Sequence, residues 1–208
     1  MLPGRAAETR SDDRTMRTQF PNAYVLDIMA EDRPGIIAHV SGVLKRLGGN
    51  IDECSQTVLE GYFTLILVVS LPKPIRPDDL SREVGGPEAE GLQVLVRPFD
   101  AGVAERPAPP AERFVLTAFG RDKPGIIAHL SQYLSGKDIN ITDLSWNRAN
   151  DEFVMVSQVA IPSRLDLALL QADLDAIADQ EGFTVKLQHE NIFVATNELR
   201  LTRAAKRG

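Results

Sequence analysis

A single cysteine, Cys54, leaves this chain of 208 residues without the means to close an internal disulfide. That excludes the small disulfide-stapled folds of oxidising compartments and suits a reducing one. Long apolar runs are missing too. No stretch approaches the ~18 residues of a membrane span, and the opening MLPGRAAETRSDDRTMRTQF is too polar for a signal peptide. The expectation is a soluble cytoplasmic protein with no membrane association. Excess positive charge is also lacking: Lys and Arg number 23 against 29 Asp and Glu, for a net charge of -6. Binding a phosphate backbone needs clustered cations, and no helix-turn-helix pattern is evident, so direct nucleic-acid contact is not expected. Nor is there a nucleophile elbow, a metal-ligand cluster or a phosphate loop. Their absence argues against an enzyme and against a bound cofactor.

What the sequence does contain is a repeat. DRPGIIAHV at 32–40 returns as DKPGIIAHL at 122–130, with seven of nine letters identical at an offset of 90. The offset holds without a gap through Asn50/Asn140, Ser55/Ser145 and Phe63/Phe153 to Pro72/Pro162. Gap-free self-similarity over that length signals duplicated structure. Between the copies runs PFDAGVAERPAPPAER, rich in Pro and Ala with little to bury, which is a linker composition. The organisation expected is a disordered tail over 1–21, a first domain over 22–98, a linker over 99–112, a second domain over 113–196 and a tail over 197–208.

Each half reads strand, helix, strand, strand, helix, strand. AYVLDIMA and RFVLTAFG are short strand-like runs. Pro34 and Pro124 fit the first turn of a helix, with Asp32 and Asp122 placed to cap it or to favour its positive end. Ile36, Val40, Val43 and Leu44 then recur at helical spacing, as do Ile126, Leu130 and Leu134. Two strand pairs follow, with turns at Gly61 and Asn150. RLDLALLQADLDAIADQEG is an amphipathic helix, whereas its counterpart PDDLSREVGG is short and broken by glycine. The order βαββαβ defines an α+β fold: two ferredoxin-like units, each a four-stranded antiparallel sheet with two helices on one face. Ile66 and Val68 alternate with Phe63, Leu65, Leu67 and Val69, so the open face is apolar enough to be covered by the other half or by another subunit.

DRPGII and DKPGII after the first strand, NI at the start of the second, and the segments SQTVLEGYFTLILVVSL and VKLQHENIF resemble ACT domains, small ferredoxin-like modules that bind amino acids and regulate metabolism. The resemblance covers about residues 23–98 and 113–196. The tandem arrangement is similar to that of the glycine cleavage system transcriptional repressor group. That similarity implies a regulatory homodimer acting through a protein partner such as a DNA-binding regulator. It also implies ligands held between the first loop of one domain and the second strand of a neighbour. The residues concerned are Asp32, Arg33, Pro34, Gly35, Ile36, Asn50 and Ile51, with Asp122, Lys123, Pro124, Gly125, Ile126, Asn140 and Ile141.

The chemistry of these residues supports the same expectation. Free N–H groups at a helix N-terminus favour a carboxylate, an Asp accepts from an ammonium, and Asn offers both a donor and an acceptor. Glycine lets a ligand approach the backbone. Together they suit an α-amino acid zwitterion, glycine or serine first. The same residues also make a strand-to-helix turn on structural grounds alone. Ala30 and Gly120, two residues before each Asp, put no polar side chain where some sensing domains have one. His39 and His129 lie at the edge of the apolar stripe and read as packing residues before a metal or pH-sensing pair. Cys54 aligns with Leu144 and reads as a core position; Trp146 reads as sheet packing. Two functions stay open: an amino-acid sensor that modulates a partner, or a ligand-independent interaction module docking on a regulator or enzyme.

Overall fold

The computed structural model describes residues 18–87, 89–104 and 109–193. The expectations for 1–17, for 197–208 and for 105–108 of the linker lie outside the described residues. Two compact units divide between positions 106 and 107. The first contains β1 (Asn22–Glu31), α1 (Ile36–Arg46), β2 (Asn50–Leu59), β3 (Tyr62–Leu71), α2 (Pro77–Val84) and β4 (Gln93–Pro98), then a one-turn α3 (Ala101–Ala104). The second contains β5 (Ala111–Arg121), α4 (Ile126–Gly136), β6 (Asn140–Ala149), β7 (Glu152–Pro162), α5 (Leu167–Glu181) and β8 (Phe183–His189). The sheet orders are β2-β3-β1-β4 and β6-β7-β5-β8, and every pairing is antiparallel. The α+β, ferredoxin-like expectation is met in both halves.

Local sequence explains the elements. Tyr24, Leu26, Ile28 and Ala30 face the helices and are buried, while Asp27, Met29 and Glu31 alternate to the other face. Ile36, Val40, Val43 and Leu44 bring α1 onto that core, and Ile126, Leu130 and Leu134 do the same for α4. Both hairpins close through two left-handed residues, Glu60 and Gly61 (φ 50 and 82°) and Asn150 and Asp151 (50 and 64°). That geometry matches the twist of the paired strands. Asp166 caps α5, accepting from the N–H groups of Ala168 (2.8 Å) and Leu169 (3.2 Å). Helix α2 is only eight residues long and stops at Gly85.

The matched histidines tie the first helix of each unit to the second, by different bonds. His39 Nε2 lies 3.0 Å from the Val84 carbonyl oxygen at the end of α2. His129 Nδ1 lies 2.8 Å from Glu181 Oε1 at the end of α5. In the second unit Tyr133 also donates to Asp173 Oδ2 at 2.8 Å, beside Lys137. Trp146 stacks on Phe153 with centroids 4.3 Å apart, as its strand position suggests.

One expectation needs correction. Cys54 is exposed and Leu144 is 40% exposed, so neither is a core position. Both lie on edge strands, which overhang the helices, and inward parity does not bury a side chain there. Within the single chain Ile66, on the open sheet face of the first unit, is 51% exposed.

One glycine reports how the copies differ in register. Gly120 pairs with Phe183 across β5 and β8, and a Cβ on it would sit 2.7 Å from Phe183 Cβ. In the first unit β4 begins opposite Met29, so Ala30 at the matching position has no such neighbour. Gly120→Ala is therefore expected to destabilise the second unit by about 1–3 kcal/mol, read by urea unfolding, whereas Ala30→Gly costs about 1–2 kcal/mol, for one buried methyl and some strand propensity. A neutral Gly120→Ala would contradict the contact with Phe183. Burial, then the hydrogen bond to Asp173 and its charge, hold the Tyr133 phenol well above its ordinary value of 10.0. As pH rises past about 10 the unfolded chain loses this proton first, and stability falls. The thermal midpoint should drop more steeply there in the natural protein than in Tyr133→Phe.

Candidate functional site

The loop after the first strand is built the same way twice. The Asp32 N–H donates to the Gly61 carbonyl, and the Asp122 N–H to the Asp151 carbonyl, both at 2.8 Å. Pro34 and Pro124 precede the helices rather than entering them. Gly35 (φ 99°) and Gly125 (φ 102°) are the N-cap residues, and no side chain caps either helix. Asp32 and Asp122 are therefore not caps: a left-handed glycine turns the chain between them and the helix. Two consequences follow for chemistry. The first-turn N–H groups, which have no intrahelical partner, are left for an anion. The space where a glycine side chain would project is empty to 4 Å.

The charged residues of this loop are unequally available. Arg33 donates to the Glu90 carbonyl, and Lys123 Nζ to the Glu181 carbonyl at 2.7 Å. Arg33 thus fastens its loop to the segment after α2, and Lys123 fastens its loop to the last residue of α5. The Asp122 carboxylate lies 3.0 Å from Arg148 Nε. The first unit has Val58 at the position of Arg148, and the Asp32 carboxylate makes no ion pair among the described residues. Ile36 and Ile126 are 3% and 2% exposed, so their side chains belong to the core. Ile37 and Ile127, one residue on, are the exposed pair.

The asparagines lie elsewhere. Asn50 pairs with Ser70, and Ser70 with Ala23 at the start of β1; the Asp32 loop follows the end of β1. At ~3.3 Å per residue the two ends are about 26 Å apart. Asn140 stands in the same relation to Asp122. Each unit gathers Asp32–Ile36 or Asp122–Ile126 at one end of its sheet, and Asn50–Ile51 or Asn140–Ile141 at the other. It does not bring the two clusters together. Asn50 is also engaged: its Nδ2 donates to Asp52 Oδ1 at 2.8 Å, and the Gln19 N–H reaches the same oxygen at 3.0 Å. Asp52 Oδ2 is buried with no hydrogen-bond partner. In the second unit Thr142 replaces Asp52 and bonds the Gln158 carbonyl at 3.2 Å. The exposed Asn140 side chain makes no hydrogen bond among the described residues.

Two cavities mark these ends. One of about 570 Å³ lies beside the Asp32 loop, lined by Met29, Glu31, Arg33, Tyr62, Gly91 and Gln93. Sequence reasoning missed Tyr62 and the 90–93 stretch. The signal was the eight residues at 85–92 between α2 and β4, where the second unit has only Gly182. Another, of about 630 Å³, adjoins Asn140, with Ser131, Ser135, Asp138, Ile141 and Arg164. Among the described residues no group of three or more His, Cys, Asp or Glu is placed to hold a metal ion. No described helix is long and apolar enough to cross a membrane.

Duplicated ferredoxin-like units, each with an open helix N-terminus behind an Asp-x-Pro-Gly turn, define a tandem α+β module protein. The chain belongs to the ACT-domain family, whose model matches residues 23–85 and 112–188. Domains of this family bind small ligands such as amino acids. A UPF0237 protein of Methanosarcina acetivorans is 33% identical over 84 residues, spanning 40% of this chain and 91% of that one. Among solved structures, an unknown protein from Galdieria sulphuraria superposes with a TM-score of 0.66 at 24% identity, over 81% of this chain and 98% of its own. A protein described provisionally as a glycine cleavage system transcriptional repressor superposes with a TM-score of 0.55 at 19% identity, over 80% and 96%. These two likenesses show the tandem fold.

The left-handed turn is directly testable. Gly35→Ala and Gly125→Ala each place a side chain in open space but at positive φ, and each should lower stability by roughly 1–2 kcal/mol. Unchanged unfolding curves would mean that the turn is not left-handed.

Proposed function

We propose that this protein is a non-catalytic regulator that binds a small amino acid, glycine or serine, and transmits that binding to a protein partner. The carrying observation is the Asp32 loop. An uncapped helix N-terminus beside a bare glycine and an unpaired carboxylate is what a zwitterion requires. Its carboxylate takes the first-turn N–H groups of α1, and its ammonium takes Asp32. Asn50 and Asn140 each lie at the far end of their own sheet, so a second copy of the module has to bring one in. Asn140 is the asparagine with an uncommitted amide. The residues that do this work are Asp32, Gly35 and Asn140, with Asp122, Asn50, Arg33 and Lys123 in structural roles.

The partner in this reading is a DNA-binding regulator, the setting is the cytoplasm, and the process is transcriptional control of glycine metabolism. The fold likeness to the provisional glycine cleavage repressor gives that its direction. Binding favours one arrangement of the assembly and so alters affinity for the partner. A second reading, a ligand-independent docking module, is favoured by one observation: Arg33, Lys123 and Asp122 are all engaged within the fold.

Calorimetry and thermal shift with the twenty amino acids separate the two. A ligand at about a hundredfold its Kd stabilises the protein by ~2.7 kcal/mol. Asp32→Ala and Asn140→Ala should each abolish that shift, while Asn50→Ala leaves most of it. If no amino acid raises the midpoint at millimolar concentration, the sensor reading fails and the docking reading stands.

A further inference from the structure

The open faces of the two sheets have diverged in charge although the units are copies. On the first, Met29, Ile66 and Leu95 are 44, 51 and 55% exposed, and Asp27 lies between Ile66 and Leu95 in the register. Glu31 ends the same strand on the same face. On the second, Phe119 and Val154 are paired neighbours, 52 and 53% exposed. They are flanked by Arg121, which occupies the position of Glu31, and by Lys186, which occupies the position of Leu95. None of these four charges makes an ion pair among the described residues. With Glu53 and Arg97 added, the strands of the first face carry net -2; with Arg113, Asp143 and Glu152 added, those of the second carry net +1.

We infer that this protein assembles with a second copy of itself, the open face of the first unit in one chain packing on the open face of the second unit in the other. Each face is an apolar strip too exposed to be left in water and bordered by charge of one sign. Sheets stack about 10 Å apart with their inner faces interdigitated. Docking two first-unit faces would oppose Asp27 and Glu31 with their own copies, and like charges across an interface are repelled. Docking unlike faces opposes them with Arg121 and Lys186. Because β5 carries an Arg on this face at either end, Arg113 and Arg121, Glu31 meets a guanidinium whichever way the second sheet runs. The contact is isologous when made reciprocally, as a twofold requires. One end of each face is already covered, since Ser70 on the first and Val115 on the second are 0% and 3% exposed. The open two thirds of four strands ~4.8 Å apart and about 25 Å long presents roughly 300 Å². Two reciprocal contacts then bury about 1,200 Å² in total, at the lower bound of the ~1,200–2,000 Å² of stable complexes. The assembly needs no amino acid, so it stands or fails independently of ligand binding.

Sedimentation of the full chain without ligand tests this. The natural protein should be a dimer that weakens in high salt. Asp27→Lys with Glu31→Lys makes both faces of a chain basic, and Arg121→Glu with Lys186→Glu makes both acidic. Each variant alone should sediment as a monomer, its Kd raised at least tenfold. An equimolar mixture of the two should recover a heterodimer, since each basic face then finds an acidic one. The milder Glu31→Gln and Arg121→Gln, which only remove charge, should each weaken the dimer several-fold and serve if either reversal fails to fold. A monomeric natural protein, variants that dimerise as tightly as it does, or a folded mixture that stays monomeric would overturn the proposal.

Discussion

A left-handed glycine between the first strand and the first helix is the constraint on which each unit depends. At φ 99° and 102°, Gly35 and Gly125 reverse the chain within four residues and drop the next residue, Ile36 or Ile126, straight into the core. The hydrophobic stripe of the helix then lies across the sheet in one register. The same turn denies the helix a side-chain cap. A stabilising element of the fold thus leaves unsatisfied N–H groups at the place where a carboxylate would be held.

Around that shared frame the copies have drifted in ways that redistribute availability. Arg148 neutralises Asp122, whereas Val58 leaves Asp32 alone. Asp52, itself held by the Gln19 N–H, occupies Asn50, whereas Thr142 turns to a strand carbonyl and leaves Asn140 alone. The first unit keeps an eight-residue connection before its last strand and a cavity beside its loop; the second closes directly through Gly182 and Phe183. Each unit therefore leaves one of these groups uncommitted, the loop carboxylate in the first and the asparagine amide in the second. The sign reversal between Glu31 and Arg121 is of the same kind.

Much of this was legible in the letters. The repeat located both units, period-two and helical spacing placed the strands and helices, and paired Asn-Asp and Glu-Gly turns closed the hairpins. The short α2 could be read from PDDLSREVGG. Capping was misread because Asp before Pro-Gly looks like an N-cap in one dimension, while the sign of φ at the glycine is a property of three. Cys54 and Leu144 were misread because alternation reports which face a side chain takes, not whether anything lies over that face at the sheet edge. The two histidines, identical in sequence context, reach different partners because α2 and α5 end differently.

The sequence by itself determined the module and its number: local propensity and a 90-residue echo leave no other assignment for two βαββαβ units. It also named the loop and the asparagine as candidate ligand groups, since residue chemistry does not depend on position. Only the tertiary structure decided that those groups stand at opposite ends of one sheet, and which carboxylate and which amide are uncommitted. Those outcomes depend on strand register and on side chains far apart in the chain. Antiparallel pairing sends Asn50 to the start of β1 and the Asp32 loop to its end, and no reading of adjacent letters measures that separation.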